Sequence, residues 1–101
     1  MYRGTTPTLS FKFPFEQDIV DYVWVTLVQG GVIKVDKKLQ GSDISISDDS
    51  IKVTLSQKET LRLSHNKIVE MQIRVKFNDG SAVASNIMTE SVEKILKDGE
   101  I

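Results

Sequence analysis

The longest regular pattern in the chain is a strict alternation. Val69, Met71, Ile73, Val75 and Phe77 are apolar, and Glu70, Gln72, Arg74 and Lys76 between them are polar or charged. A period of two over this length predicts a β-strand across residues 68–77, with one face buried and the other in water. Asn78-Asp79-Gly80 follows and predicts a hairpin turn, because these residue types accept the positive φ such turns require. A further strand is expected from Ser81, carrying Val83, Ser85 and Ile87. Leu9, Phe11 and Phe13 alternate in the same way with Ser10 and Lys12, and Pro14 ends that strand or places it on an edge. Ile44 and Ile46 make a short strand. Asp48-Asp49-Ser50 forms a turn, and Ile51, Val53 and Leu55 begin the next alternation.

Residues 19–28 are apolar on both faces. Val23, Val25 and Leu27 are expected in the core, with Tyr22, Trp24 and Val28 on the opposite face. Large aromatics are mostly buried, which favours packing of Tyr22 and Trp24 under a covering segment or a subunit over an open platform. Gly30-Gly31 reverses the chain into a return strand over residues 32–39. Ile33 and Val35 share one face of it, Lys34, Asp36 and Lys38 the other, and Lys37 interrupts the apolar side. Its lysines suit a sheet edge, where charge blocks unwanted pairing. Ser56-Gln57-Lys58-Glu59 fits a capping box, so one short helical turn is expected to link two sheets. Residues 89–96 admit two readings. One is a strand with a bulge near Ser91, which we favour. The other is a helix through Val92, Ile95 and Leu96 that stops at Gly99.

About seven short strands in 101 residues predict one all-β domain spanning residues 1–101, an immunoglobulin-like antiparallel β-sandwich. A small closed barrel is the structural rival. The paired cysteines of antibody domains are absent, and Trp24 is the remaining hallmark. A flexible N-terminal arm is expected at about residues 1–7 and a loose C-terminal tail at about residues 97–101.

Charge narrows the classes of function. The chain carries 13 basic and 14 acidic residues, 27 % charged in all, and no cysteine. No basic stripe is present to neutralise phosphates, so no nucleic-acid partner is expected. The start of the chain lacks the apolar run of a signal peptide, and no stretch reaches the roughly 20 apolar residues of a membrane span. Synthesis in the cytoplasm without membrane insertion is the expectation.

The residue types that carry chemistry are sparse. His65, the single histidine, lies in the polar turn Ser64-His65-Asn66 and reads as a solvated turn residue. Asp43, Asp48 and Asp49 lack the spacing and glycine of a calcium loop. Gly30-Gly31 lacks the lysine and helix of a phosphate loop. Glu90 and Glu93 define no cleft of the kind paired carboxylates need. No catalytic residue, cofactor or metal ligand is therefore expected. Tyr22 and Trp24, two apart on one strand face, and Tyr2 and Arg3 on the arm are the candidate interaction residues.

The opening Met-Tyr-Arg-Gly-Thr-Thr-Pro-Thr-Leu-Ser-Phe-Lys-Phe-Pro-Phe, the central Leu55-Ser56-Gln57-Lys58-Glu59-Thr60-Leu61 and the later Met71-Gln72-Ile73-Arg74-Val75 carry a resemblance. Asn78-Asp79-Gly80, Ala84-Ser85-Asn86-Ile87 and Ile95-Leu96-Lys97-Asp98-Gly99 extend it over nearly the whole chain. The sequence resembles short proteins encoded in the tail-gene regions of phages and prophages of Gram-positive bacteria. That resemblance implies a non-enzymatic structural or assembly part at the tail tip or baseplate, made in the host cytoplasm and carried in the virion or acting as an accessory factor. Its implied partners are other tail or baseplate proteins, or further copies of itself. A carbohydrate- or ligand-binding sandwich using Tyr22 and Trp24 is the competing expectation, and a small enzyme built on scattered carboxylates is the third.

Overall fold

A computed structural model describes all of residues 1–101. The strands are β1 (Thr8–Lys12), β2 (Val20–Gln29), β3 (Val32–Gln40), β4 (Ser45–Ser47), β5 (Ser50–Thr54), β6 (Ile68–Phe77), β7 (Ala82–Ala84) and β8 (Met88–Ser91). One sheet has the order β1-β5-β4. The other runs β3-β2-β6-β7, and β8 also pairs with β6. Every strand pairing is antiparallel. The result is an all-β sandwich rather than a closed barrel. Its connectivity is that of an immunoglobulin domain without its first strand: β1, β5 and β4 take the B, E and D places, and β3, β2, β6 and β7/β8 take C′, C, F and G.

The inward residues of both sheets make one core. Leu9, Phe11, Ile51 and Val53 come from the three-stranded sheet, and Val23, Val25, Leu27, Val69, Met71, Ile73 and Val75 come from the other. The alternating pattern places these side chains on one face of each strand. Two tight turns set the hairpin registers. Gly30 and Gly31 have φ of 55° and 77°, and Asp48 and Asp49 have φ of 51° and 56°. Two successive left-handed residues between paired strand ends define a type I′ turn, whose twist matches that of the flanking strands. The lysine-bearing β3 is a sheet edge, as its charges predict.

Three expectations are corrected. The strand after Asn78-Asp79-Gly80 is broken into β7 and β8, both lying along the same edge of β6. Ser85 causes the break: its Oγ accepts from the Ile73 N–H at 3.1 Å, and the Gln72 amide donates to its carbonyl at 2.9 Å. The Ser85 N–H still donates to the Ile73 carbonyl at 3.0 Å, but the return bond from the Ile73 N–H goes to the side chain, and Val83 and Ile87 end up exposed. Ile33 does not share a face with Val35. A bulge at Leu27/Val28 pairs Val28 with Ile33 but Leu27 with Val35, which turns Ile33 to the outer face.

The third correction concerns the termini. The expected arm is docked. The Met1 ammonium donates to Glu90 at 2.7 Å and to the Ser91 carbonyl at 2.7 Å. Tyr2 forms a parallel bridge with Glu93. The Arg3 guanidinium donates to the carbonyls of Leu63 (2.6 Å) and Leu61 (3.0 Å) and to Asp98 (3.0 Å). The tail is held as well, by two hydrogen bonds between the Gln57 amide and Ile101. Charge-assisted bonds to carbonyls left free at a helix end make such docking favourable. After β8, Val92 is buried and neither continued strand nor helix follows.

The crossover between sheets is the short helix α1 (Gln57–Leu61), closed by the predicted capping box between Ser56 and Glu59. Two buried polar side chains fix this connection. Thr60 accepts from the Thr5 N–H at 3.1 Å and donates to the Thr5 carbonyl at 2.8 Å. Gln29 donates to the Ser64 carbonyl at 2.8 Å and accepts from the Ser64 N–H at 2.7 Å. Gln29→Leu leaves both Ser64 groups without a partner in a largely dry site. A loss of about 2 kcal/mol is expected in urea unfolding, against a near-neutral result if water reaches Ser64 freely.

Candidate functional site

The site candidates of β2 lie on the outer face of the five-stranded sheet. Val23, Val25 and Leu27 face inward, so Tyr22, Trp24, Thr26 and Val28 form a row that points away from the core. Trp24 is 38 % exposed and Tyr22 is half-buried. No segment of this chain is packed over the row. The tryptophan that would sit in the core of an antibody domain therefore faces outward here, and valines fill the core positions of this strand.

Register brings cations to the aromatics. Trp24 lies opposite Lys38 on β3 and Arg74 on β6, and Tyr22 lies opposite Gln40 and Lys76. The Lys38 Nζ is 4.2 Å from the centre of the Tyr22 ring, a cation–π contact. Tyr22, Trp24, Arg74 and Lys76 line a shallow hollow of about 200 Å³. Further along the row apolar side chains gather beside Glu70, which lies opposite Val28. Val28 is flanked by Ile33 and borders a second hollow of about 180 Å³ with Ile87. Ile33 and Ile87 are 59 % and 58 % exposed. Thr26 and Asp36 separate the two regions and share a hydrogen bond of 2.8 Å.

The other candidates do not join this face. Tyr2 and Arg3 lie beside Glu93 and Leu63, where the E–F connection and the end of the chain meet. His65 is exposed in its turn. Asp48 and Asp49 form the β4–β5 turn, and Glu90 accepts from the Met1 ammonium. No three His, Asp or Glu side chains converge as a metal site would require. Two parts of the outer face escaped the alternation pattern. Ile33 reached it through a bulge, and Arg74 and Lys38 were placed beside Trp24 by a register that only the folded sheet defines.

Glu59 is a carboxylate whose ionisation is set by its surroundings. Burial pushes its pKa up, but the Ser56 N–H (2.8 Å) and the Lys37 ammonium (3.0 Å) outweigh this and hold it below the ordinary value of 4.5. Lys37, which interrupts the apolar side of β3, thus ties that edge to α1. A carboxylate with a lowered folded-state pKa stabilises the fold above its unfolded value and loses that contribution as pH falls through the folded one. Glu59→Gln is therefore expected to be less stable than wild type at pH 7. The gap should close as the pH is taken below 4.5 in a series of urea titrations. A gap independent of pH would show that the charge contributes nothing.

The geometry defines a β-sandwich with an open face that mixes aromatic, cationic and apolar side chains. Compared with protein-family models, curated proteins and solved structures, the chain matches none. No helix is long and apolar enough to cross a membrane.

Proposed function

We propose that this chain is a non-enzymatic structural or assembly protein of a phage or prophage tail, associated with the tail tip or baseplate, and that it works by protein–protein contact through the outer face of its five-stranded sheet. The observation that carries the contact reading is Trp24, exposed at the centre of the sheet between Lys38 and Arg74. Trp, Tyr and Arg are the residue types that supply most binding energy at protein interfaces. The cations select a partner surface that offers carboxylates beside an apolar recess for the indole. Two copies packed through this same region would oppose Lys38, Arg74 and Lys76 to one another, so a different protein is the better fit. The tail setting rests on the sequence resemblance. Quantitative mass spectrometry of purified particles and assembly intermediates tests it. The chain is expected at a fixed stoichiometry to other tail proteins, and its absence from every particle and intermediate would overturn the reading.

The ligand-binding alternative is favoured by the same exposed Trp24 and the hollow beside it. Lys38 already occupies one face of Tyr22, which leaves a sugar a single free indole to stack on. Binding on a glycan array that Trp24→Ala abolishes would favour this alternative over the tail reading.

A further inference from the structure

The two ends of the strands differ in a way that makes each complementary to the other. Three connections meet at one end: residues 13–19 between β1 and β2, the Asp48-Asp49 turn, and Asn78-Asp79-Gly80 after β6. Between the first and the third lies a hollow of about 380 Å³, whose apolar wall is Phe15, Ile19 and Phe77. The Phe15 ring packs at 5.0 Å from Phe13 and 5.4 Å from Phe77 and is still 45 % exposed, as Ile19 is 42 % exposed. Asp79 and Ser81 complete the hollow. Asp18 is tied to its rim by the Asn78 amide, which donates to the Asp18 carbonyl, and Glu16, Asp48 and Asp49 line a neighbouring hollow that shares Phe15; all four acids are exposed and none is in an ion pair. Lys12 ends β1 and Lys76 lies on β6 just before Phe77, where its charge also acts on Asp79. Asp79 is held ionised by the Ser81 hydroxyl at 2.6 Å and the Ser81 N–H at 2.9 Å.

At the opposite end the chain presents Lys94-Ile95-Leu96-Lys97. Leu96 is 95 % exposed, and neither lysine is in an ion pair. This segment is held in place. Ile95 packs so closely on Gly4 that a Cβ there would lie 2.9 Å from its Cδ1, and Gly4 has φ of +69°. The Arg3–Asp98 ion pair fixes the next turn of chain. An apolar side chain is thus displayed between two cations on one end, and an apolar hollow beside carboxylates is displayed on the other.

We propose that copies of this chain associate head to tail, with Leu96 of one copy entering the Phe15–Ile19–Phe77 hollow of the next and Lys94 and Lys97 facing its acidic turns. Such a contact is heterologous: each copy uses two different surfaces, so association continues into a ring or an open filament rather than stopping at a two-fold dimer. This inference is independent of the outer-face reading, because it uses neither Trp24 nor a tail partner and is tested on the purified chain alone.

Sedimentation velocity over a concentration series, at low and high salt, tests it. Wild type is expected to grow in mass with concentration beyond a dimer, and less so in high salt, where the ion pairs are screened. Leu96→Ser and Asp79→Lys are each expected to weaken association at least about tenfold. Leu96 is exposed and its side chain is free, so thermal unfolding of Leu96→Ser should match wild type, whereas Asp79→Lys also loses the two turn bonds to Ser81 and is compared at a temperature where it is fully folded. Mixing the two variants is the decisive arm. Each retains one intact end, so the mixture should recover association but stop at the dimer. A chain that stays monomeric at every concentration would overturn the proposal. So would growth that neither variant reduces, or a mixture that remains monomeric.

Discussion

Phe11→Ala is expected to lower the unfolding free energy by about 3–5 kcal/mol, the loss typical of a large aromatic removed from a packed core. Phe11 is 1 % exposed and lies opposite Ile51, which is fully buried, in the narrow sheet. That sheet has only three strands, two of them five residues long and one of three. It has few other large side chains with which to fill the gap between layers. A domain of this size has about 5–15 kcal/mol in total, so this one truncation removes a large share. Urea unfolding followed by the near-ultraviolet signal of the aromatic residues is the measurement. A change below about 1 kcal/mol would mean that the two sheets do not share one close-packed core.

Trp24→Ala should show the reverse partition. The indole lies on the outer face, so stability is expected to change by less than about 1 kcal/mol. If the chain is a tail protein as proposed, its incorporation into tail particles should fall at least about thirtyfold, because truncating a central interface tryptophan commonly costs 2 kcal/mol or more of binding. Arg74→Ala should produce a smaller fall in the same direction. Undiminished incorporation of Trp24→Ala would move the contact off this face.

The strands that the sequence made legible are those with an unbroken pleat and one wet face. Residues 69–77 alternate without exception, and β6 spans the predicted 68–77 to the residue. The capping box at Ser56 and the two-residue turns were legible for a related reason: their chemistry is local, decided by side chains two or three positions apart. What could not be read depends on partners distant in sequence. The bulge that turns Ile33 outward adjusts two strands to each other. The break at Ser85 follows from hydrogen bonds to Gln72 and Ile73, thirteen and twelve residues away. The docking of Met1 on Glu90 spans nearly the whole chain. Trp24 illustrates the limit for the site. Its strand face was legible, but whether a segment of this chain covered that face was a matter of tertiary structure, and the fold leaves the indole 38 % exposed.

The outer face around Trp24 is the proposed working surface of this domain. Hydroxyl-radical footprinting of the chain in the particles proposed to contain it, compared with the free chain, measures that face directly. The account predicts that Trp24 is strongly protected in the assembled state, with Ile33 protected alongside it. Equal oxidation of Trp24 in the free and assembled states would contradict it.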